Sequence, residues 1–190
     1  MSTAHNIIKT LKHKGNTVIG VGCYSAVMSA KNQNNVIKVG SDTADPCLDF
    51  YSHVVSKFNG NQHVPVVHSM YVDNNSDFYV LVMEKLDPIQ VKDYDVCKLC
   101  KDYCESYITS DQFIIECENY LDYIPNPSKL LEVLKKVKKL AEKLEVKIDM
   151  HTGNFMLRDG ILVVTDPWSD HEIYDEYDLS LWADENLYNE

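Results

Sequence analysis

Apolar residues in the first half of the chain alternate or fall in short unbroken runs, whereas beyond residue 90 they recur at helical intervals. Ile7, Ile8 and Leu11 share one side and predict a short helix over Ile7–Lys14, stopped by Gly15. Thr17–Val21 and Ala26–Ala30 read as strands joined through small residues, and Val36–Val39 as a third strand. Asp45-Pro46 offers an N-cap and an N1 proline to a helix carried by Cys47–Phe58 and ended at Gly60. Val64–His68 and Met70–Val72 are strand material, with His63 and His68 as surface or packing histidines, and Phe78–Met83 is a continuous apolar run that predicts a buried strand. Helices follow over Val91–Tyr107 and over Asp111–Tyr123, the second capped at Ser110-Asp111. Pro125-Asn126-Pro127-Ser128 opens the strongest helix, in which Leu130, Val133, Leu134, Val137, Leu140, Ala141 and Leu144 form a stripe and lysines surround it. A terminal helix is expected around Leu179–Leu187. The pattern is α+β, with a sheet-bearing part over 1–87 and a helical part over 88–190.

The densest chemistry lies in Lys147–Trp168, KIDMHTGNFMLRDGILVVTDPW. Its apolar runs Phe155–Leu157 and Ile161–Val164 flank Arg158-Asp159-Gly160, and Asp-Gly is a strong two-residue hairpin signal. With Asp159 and Gly160 as the turn, Arg158 faces Ile161 and the ladder runs back until Asn154 faces Thr165. Asp166 then lies beside Asn154, and Asp149 sits on the loop entering the first strand. A base candidate thus adjoins an amide and a carboxylate able to share a divalent cation, the spacing D-x-x-x-x-N, hairpin, Asp that phosphoryl transfer uses. A surface hairpin with polar flanks would give the same local pattern, so the rest of the chain decides between them.

Upstream, Gly20, Gly22, Ser25 and Val27 make a small-residue hairpin tip whose backbone N–H groups a phosphate can approach without Cβ obstruction. No helix follows the glycines, which argues against a dinucleotide fingerprint. In the next strand Ile37 and Val39 point one way and Val36 and Lys38 the other, which puts Lys38 on an apolar face beneath that tip.

Composition narrows the partners. The chain has 190 residues, 45% hydrophobic and 25% charged, enough for one well-filled unit. Its 18 basic against 29 acidic residues give −11, which disfavours direct nucleic-acid binding and anionic membranes. An acidic chain that handles phosphate needs metal ions and a few placed cations. The N-terminal stretch lacks a secretory pattern and no apolar run approaches spanning length, so cytosolic residence is expected. Cys97, Cys100 and Cys104 fall at helical spacing among apolar residues and read as buried free thiols rather than zinc ligands.

Flap glycines, strand lysine, helix, apolar strand with a hinge, helices, then D-x-x-x-x-N, hairpin and Asp follow one another in the protein-kinase order. The chain resembles the protein-kinase-like fold, and most closely the early serine/threonine protein kinase family of the T-seven group of short-tailed bacteriophages. The stretches VIKVG (Val36–Gly40), SAV (Ser25–Val27), DMHTGNFM (Asp149–Met156) and VTDPWS (Val164–Ser169) carry the likeness. The resemblance implies a compact two-lobed kinase fold, with an N-terminal antiparallel sheet lobe and a reduced helical C-terminal lobe. It implies that Gly20, Gly22, Ser25 and Val27 cover the ATP phosphates and that Lys38 contacts them. Met83 is then the gatekeeper, with the backbone of Glu84 and Leu86 as the adenine hinge. Asp149 becomes the catalytic base, and Asn154 and Asp166 hold Mg²⁺ or, in its place, Mn²⁺. Host bacterial proteins, including transcription and RNA-processing machinery, become the substrates, and the cytoplasm of the infected bacterium the place of action.

Departures from the usual kinase pattern qualify the likeness. Lys147-Ile148-Asp149 lacks the arginine that senses activation-loop phosphate, which implies activity without that control. His151 stands where a lysine is common and either donates to the γ-phosphate or holds the loop. Asp166-Pro167-Trp168 replaces Asp-Phe-Gly. The helix after Lys38 has no glutamate, which leaves Asp49, favoured for lying inside the helix, or Asp45 to pair with Lys38. Two other functions fit parts of the pattern: a small-molecule kinase of the aminoglycoside or choline type, and a catalytically weak kinase relative that binds a host protein.

Overall fold

The computed structural model describes residues 3–22, 24–40 and 45–169 of the chain. The expected terminal helix over Leu179–Leu187 lies outside them. Within the described residues, 3–45 and 67–85 make one compact unit and 46–66 and 86–169 another.

The first unit is a five-stranded antiparallel sheet backed by a helix. Helix α1 spans Thr3–His13 and is followed by β1 (Val18–Val21), β2 (Ser25–Ser29) and β3 (Asn35–Gly40). After an excursion into the second unit come β4 (Val67–Asp73) and β5 (Phe78–Glu84), and the spatial order is β1-β2-β3-β5-β4. The pleat divides the sheet by residue parity. Ala26, Met28, Val39 and Phe78 form one buried face, on which Ala4 and Ile8 of α1 pack. An 11-residue helix is marginal by itself, so this packing, at roughly 1.5–3 kcal/mol per large buried side chain, is what holds it. The helix begins earlier than the Ile7 start read from periodicity, because Ala4, too small to register as a strong apolar signal, is its first buried position. The opposite face is ordered in rows. Val27, Lys38 and Leu81 stand across three strands, with Val36 and Met83 in the next row and Ser25, Gly40 and Tyr79 on the other side.

In the second unit α2 (Pro46–Phe50) runs directly into a π-helical turn over Tyr51–Val55, in place of the uniform helix expected to Phe58. Val64-Pro65-Val66 stay outside β4, which starts at Val67 with a register irregularity between Val67 and Ser69. The expected helix from Val91 resolves into a 3-10 turn, Val91–Asp93, and α3, Tyr94–Cys104. Helix α4 is Ser110–Glu116, continued by a 3-10 turn to Tyr120. Its cap is Thr109 rather than Ser110-Asp111. The Thr109 hydroxyl accepts from Gln112 N at 3.2 Å while Thr109 N donates to Gln112 Oε1 at 2.9 Å, a reciprocal box that Ser110 is one residue too late to make. Helix α5, Pro127–Leu144, follows the predicted stripe and ends where Glu145 turns left-handed at φ 58°.

The described cysteines form no disulfide and are buried, and burial pushes the Cys97 and Cys104 thiols up to about 12. They remain protonated at neutral pH and act as small apolar side chains.

A short strand β6 (Asp87–Pro88) pairs with β8 (Phe155–Arg158), which pairs with β9 (Ile161–Val164). Between α5 and β8 lies β7 (Lys147–Ile148), which pairs with β10 (Trp168–Ser169). The β8–β9 hairpin is braced from one side. Arg158 forks onto the carbonyls of Gln62 at 2.9 Å and Val64 at 2.8 Å, and between them His63 is wholly buried, with Nδ1–H donating to Leu162 O at 2.8 Å. Burial holds the His63 pKa below its ordinary 6.5. Unfolded chain therefore binds a proton that native chain does not, and stability rises with pH across this window. The expected result is a stability plateau above pH 6.5 and a decline as pH falls through 6.5, read as the urea midpoint against pH. His63→Gln flattens that slope.

Candidate active site

The hairpin has the register its turn residues predict. Phe155 faces Val164 and Arg158 faces Ile161. Asp159 and Gly160 both have positive φ, 51° and 84°, the requirement of the tight turn that matches strand twist. The ladder extends one step further, because Thr165 N donates to Asn154 O at 3.0 Å. Asn154 and Asp166 are thereby set at the same end of the hairpin.

Asp149 is tied through its own backbone to Asn154 and to Pro167, the residue after Asp166. Its N–H donates to Pro167 O at 2.8 Å, and its carbonyl accepts the Asn154 side-chain Nδ2–H at 2.7 Å. The β7–β10 pairing, Ile148 opposite Trp168, holds the two segments in register beside it. The Asp149 carboxylate is one-quarter exposed, with His151 Nε2 at 3.7 Å from Oδ2.

His151 caps the 3-10 turn Thr152–Asn154 with its ring. Its Nδ1 accepts from Gly153 N at 3.0 Å, and Asn154 N donates to His151 O at 3.0 Å. The neutral ring then carries its proton on Nε2, the end towards Asp149. A Cβ at Gly153 would lie 2.7 Å from His151 Cε1, so a larger residue there would displace the capping ring.

Asn154, by donating Nδ2–H to Asp149, leaves its amide oxygen as the acceptor end. Asp166 is half-buried, and its Oδ1 accepts from the Tyr51 hydroxyl at 3.1 Å. Both supply hard oxygen ligands, the donor type that suits Mg²⁺ and Mn²⁺ when phosphate oxygens and water complete the shell. Among the described residues no three His, Cys, Asp or Glu side chains gather into a metal cage.

In the first unit Gly20 faces Val27, which faces Lys38, so three of the expected nucleotide residues occupy one cross-strand row, with Met83 in the adjacent row. Lys38 is 3% exposed. The hairpin tip is closed by Gly22 N donating to Ser25 O at 2.8 Å. Neither Gly20 nor Gly22 has positive φ, and a Cβ on either would meet no atom nearer than 3.8 Å. Glu84 ends β5, and the boundary between the two units falls between Lys85 and Leu86.

Asp49, the acid favoured for Lys38, is 46% exposed and lies 3.4 Å from His53 Nε2, one helical turn on. Asp45 is in the same unit as Lys38, is 3% exposed, and accepts from the Tyr79 hydroxyl at 2.5 Å. The Tyr79 ring lies over Gly40, where a Cβ would come within 2.0 Å of it. Tyr79 and Tyr51 were not legible as site residues, since each sits inside an apolar run that reads as core.

A lysine on the third strand of a sheet in the order 1-2-3-5-4, and a D-x-x-x-x-N hairpin ending in Asp, are the parts of a protein kinase. A family profile described as Bacteriophage T7 protein kinase 0.7 matches residues 2–187, and the chain belongs to that family. No curated protein sequence matches it. Among the described residues no helix is long and apolar enough to cross a membrane.

Proposed function

We propose that the chain is a minimal two-lobed serine/threonine protein kinase that transfers the ATP γ-phosphate to hydroxyls of host bacterial proteins in the cytoplasm of the infected cell. The observation that carries this reading is the hydrogen-bonded join of Asp149 to Asn154 and to the Asp166-Pro167 segment, which orients a base and an oxygen-ligand pair from one backbone network. The acceptor oxygen attacks the γ-phosphorus, the bond to the β,γ-bridging oxygen breaks, and ADP leaves. Asp149 takes the hydroxyl proton. Asn154 and Asp166 hold Mg²⁺ or Mn²⁺, which supplies charge neutralisation at the phosphates.

The nucleotide-binding roles rest on the sheet face bearing Lys38. Val27, Val36 and Met83 line it beside the lysine, and Ser25 lies one row away. Among the described residues, neither backbone conformation nor packing requires glycine at 20 or 22, which fits a close approach by phosphate. Lys38 binds phosphate oxygens, and Asp45, steadied by Tyr79, is its counter-ion. Glu84 and Leu86 present backbone groups to adenine. His151 holds the loop through Nδ1 and offers Nε2–H to the γ-phosphate. With Ile148 in the usual arginine position, no phosphate sensor precedes the base, so activity needs no activation-loop phosphorylation.

The test is γ-labelled ATP with Mg²⁺ and bacterial extract. Label on several proteins, lost in Asp149→Ala and Asp166→Ala, is the expected result. Label confined to small molecules, or no transfer by the unaltered chain with any divalent metal, overturns the proposal.

A further inference from the structure

We infer that Tyr51 is a positioning residue for the Asp166 carboxylate, so that the π-helical turn after α2 sets the divalent-cation affinity of the site; this rests on the reading of Asp166 as a metal ligand. The turn is defined by a wide hydrogen bond, Ser56 N to Tyr51 O at 3.3 Å, and single π turns of this kind occur frequently at functional sites. Tyr51 is 3% exposed, and its hydroxyl reaches Asp166 Oδ1 at 3.1 Å, across 115 positions of sequence.

The tyrosine does not act alone in gripping this segment. Its ring meets Phe50 edge-on at 5.5 Å, and Phe50 meets Trp168 edge-on at 5.9 Å. The Cys47 thiol donates to Trp168 O at 3.1 Å. The π turn also packs on α5, the helix that leads into β7 and Asp149. The backbone of the Asp166-Pro167-Trp168 stretch is thus held by ring contacts and by hydrogen bonds to Pro167 O and Trp168 O, while the Tyr51 hydroxyl acts on the carboxylate itself. Contacts to the backbone place the segment, whereas a directional bond to the carboxylate restricts its rotation about Cβ–Cγ. A carboxylate already oriented does not lose that freedom when a cation arrives, which is how outer partners of metal ligands raise affinity.

The test is Mn²⁺ binding by electron paramagnetic resonance to the full chain in the presence of a non-hydrolysable ATP analogue. Tyr51→Phe removes one oxygen and keeps the ring. It is expected to weaken Mn²⁺ binding about tenfold, the low end for outer-shell partners. The melting temperature falls by only about 2–4 °C, the equivalent of one hydrogen bond, and turnover at saturating Mn²⁺ is kept within about threefold, because the carboxylate is still present. Phe50→Leu, a packing control, is expected to lower the melting temperature without moving Mn²⁺ affinity. Asp166→Asn separates the two levels of inference. If Asp166→Asn abolishes Mn²⁺ binding and Tyr51→Phe leaves it unchanged, the role of Tyr51 is overturned and the metal site stands. If Asp166→Asn binds Mn²⁺ as the unaltered chain does, the metal-ligand reading itself fails. Equal weakening by Phe50→Leu, or a Tyr51→Phe chain that does not fold, overturns the positioning role in favour of a structural one.

Discussion

Asp149→Ala is expected to slow phosphoryl transfer by about 10³-fold while the chain stays folded, within the 10²–10⁴-fold that a positioned general base contributes. The carboxylate lies 3.7 Å from His151 Nε2 and is one-quarter exposed. What fixes the residue is its main chain, through Pro167 O and the Asn154 amide, and alanine keeps both bonds. Little stability is therefore lost with the side chain, and the melting temperature measured beside single-turnover transfer should barely move. Raising Mg²⁺ does not rescue this variant. Asp166→Ala behaves differently, with part of its loss recovered at high Mg²⁺ or Mn²⁺, because a ligand rather than a base is missing. Unimpaired single-turnover transfer by Asp149→Ala would remove the aspartate from the chemistry.

Much of this site was legible because period-two side-chain alternation and a two-residue turn leave a strand no latitude. Once Asp159-Gly160 is the turn, the pairing steps back one residue at a time on each strand and Asn154 must face Thr165. The face of Lys38 follows from the same parity. Helices gave less. A uniform helix over 47–58 was the simplest reading of its apolar spacing, yet the wide turn at Tyr51–Val55 cannot be seen in a pattern that fits both periods. Nor does sequence order reveal that a tyrosine in this turn meets Asp166, since the contact depends on how packed elements return to each other.

Asp45→Ala is expected to destabilise the chain by about 3 kcal/mol, the low end of the cost of removing one partner of a buried pair, or roughly 6–12 °C in melting temperature. A lysine 3% exposed would not keep its charge without compensation, and among the described residues of its unit Asp45 is the one carboxylate buried to the same degree. Tyr79 fixes that carboxylate by its 2.5 Å hydroxyl contact, and Gly40 gives the ring its room. If Asp45 is the counter-ion of Lys38 as proposed, the two act as a unit and Lys38→Met and Asp45→Ala should not add: the double variant is expected to melt above Asp45→Ala alone, because no buried charge is left over. Activity should separate differently from stability. Both single variants and the double lose transfer, since each lacks either the phosphate-binding ammonium or its orientation, whereas Asp49→Ala stays within about threefold of the unaltered chain, as expected of a half-exposed side chain paired only with a surface histidine. A melting-temperature cycle in which the Lys38 and Asp45 effects simply sum would show that the lysine charge is balanced elsewhere.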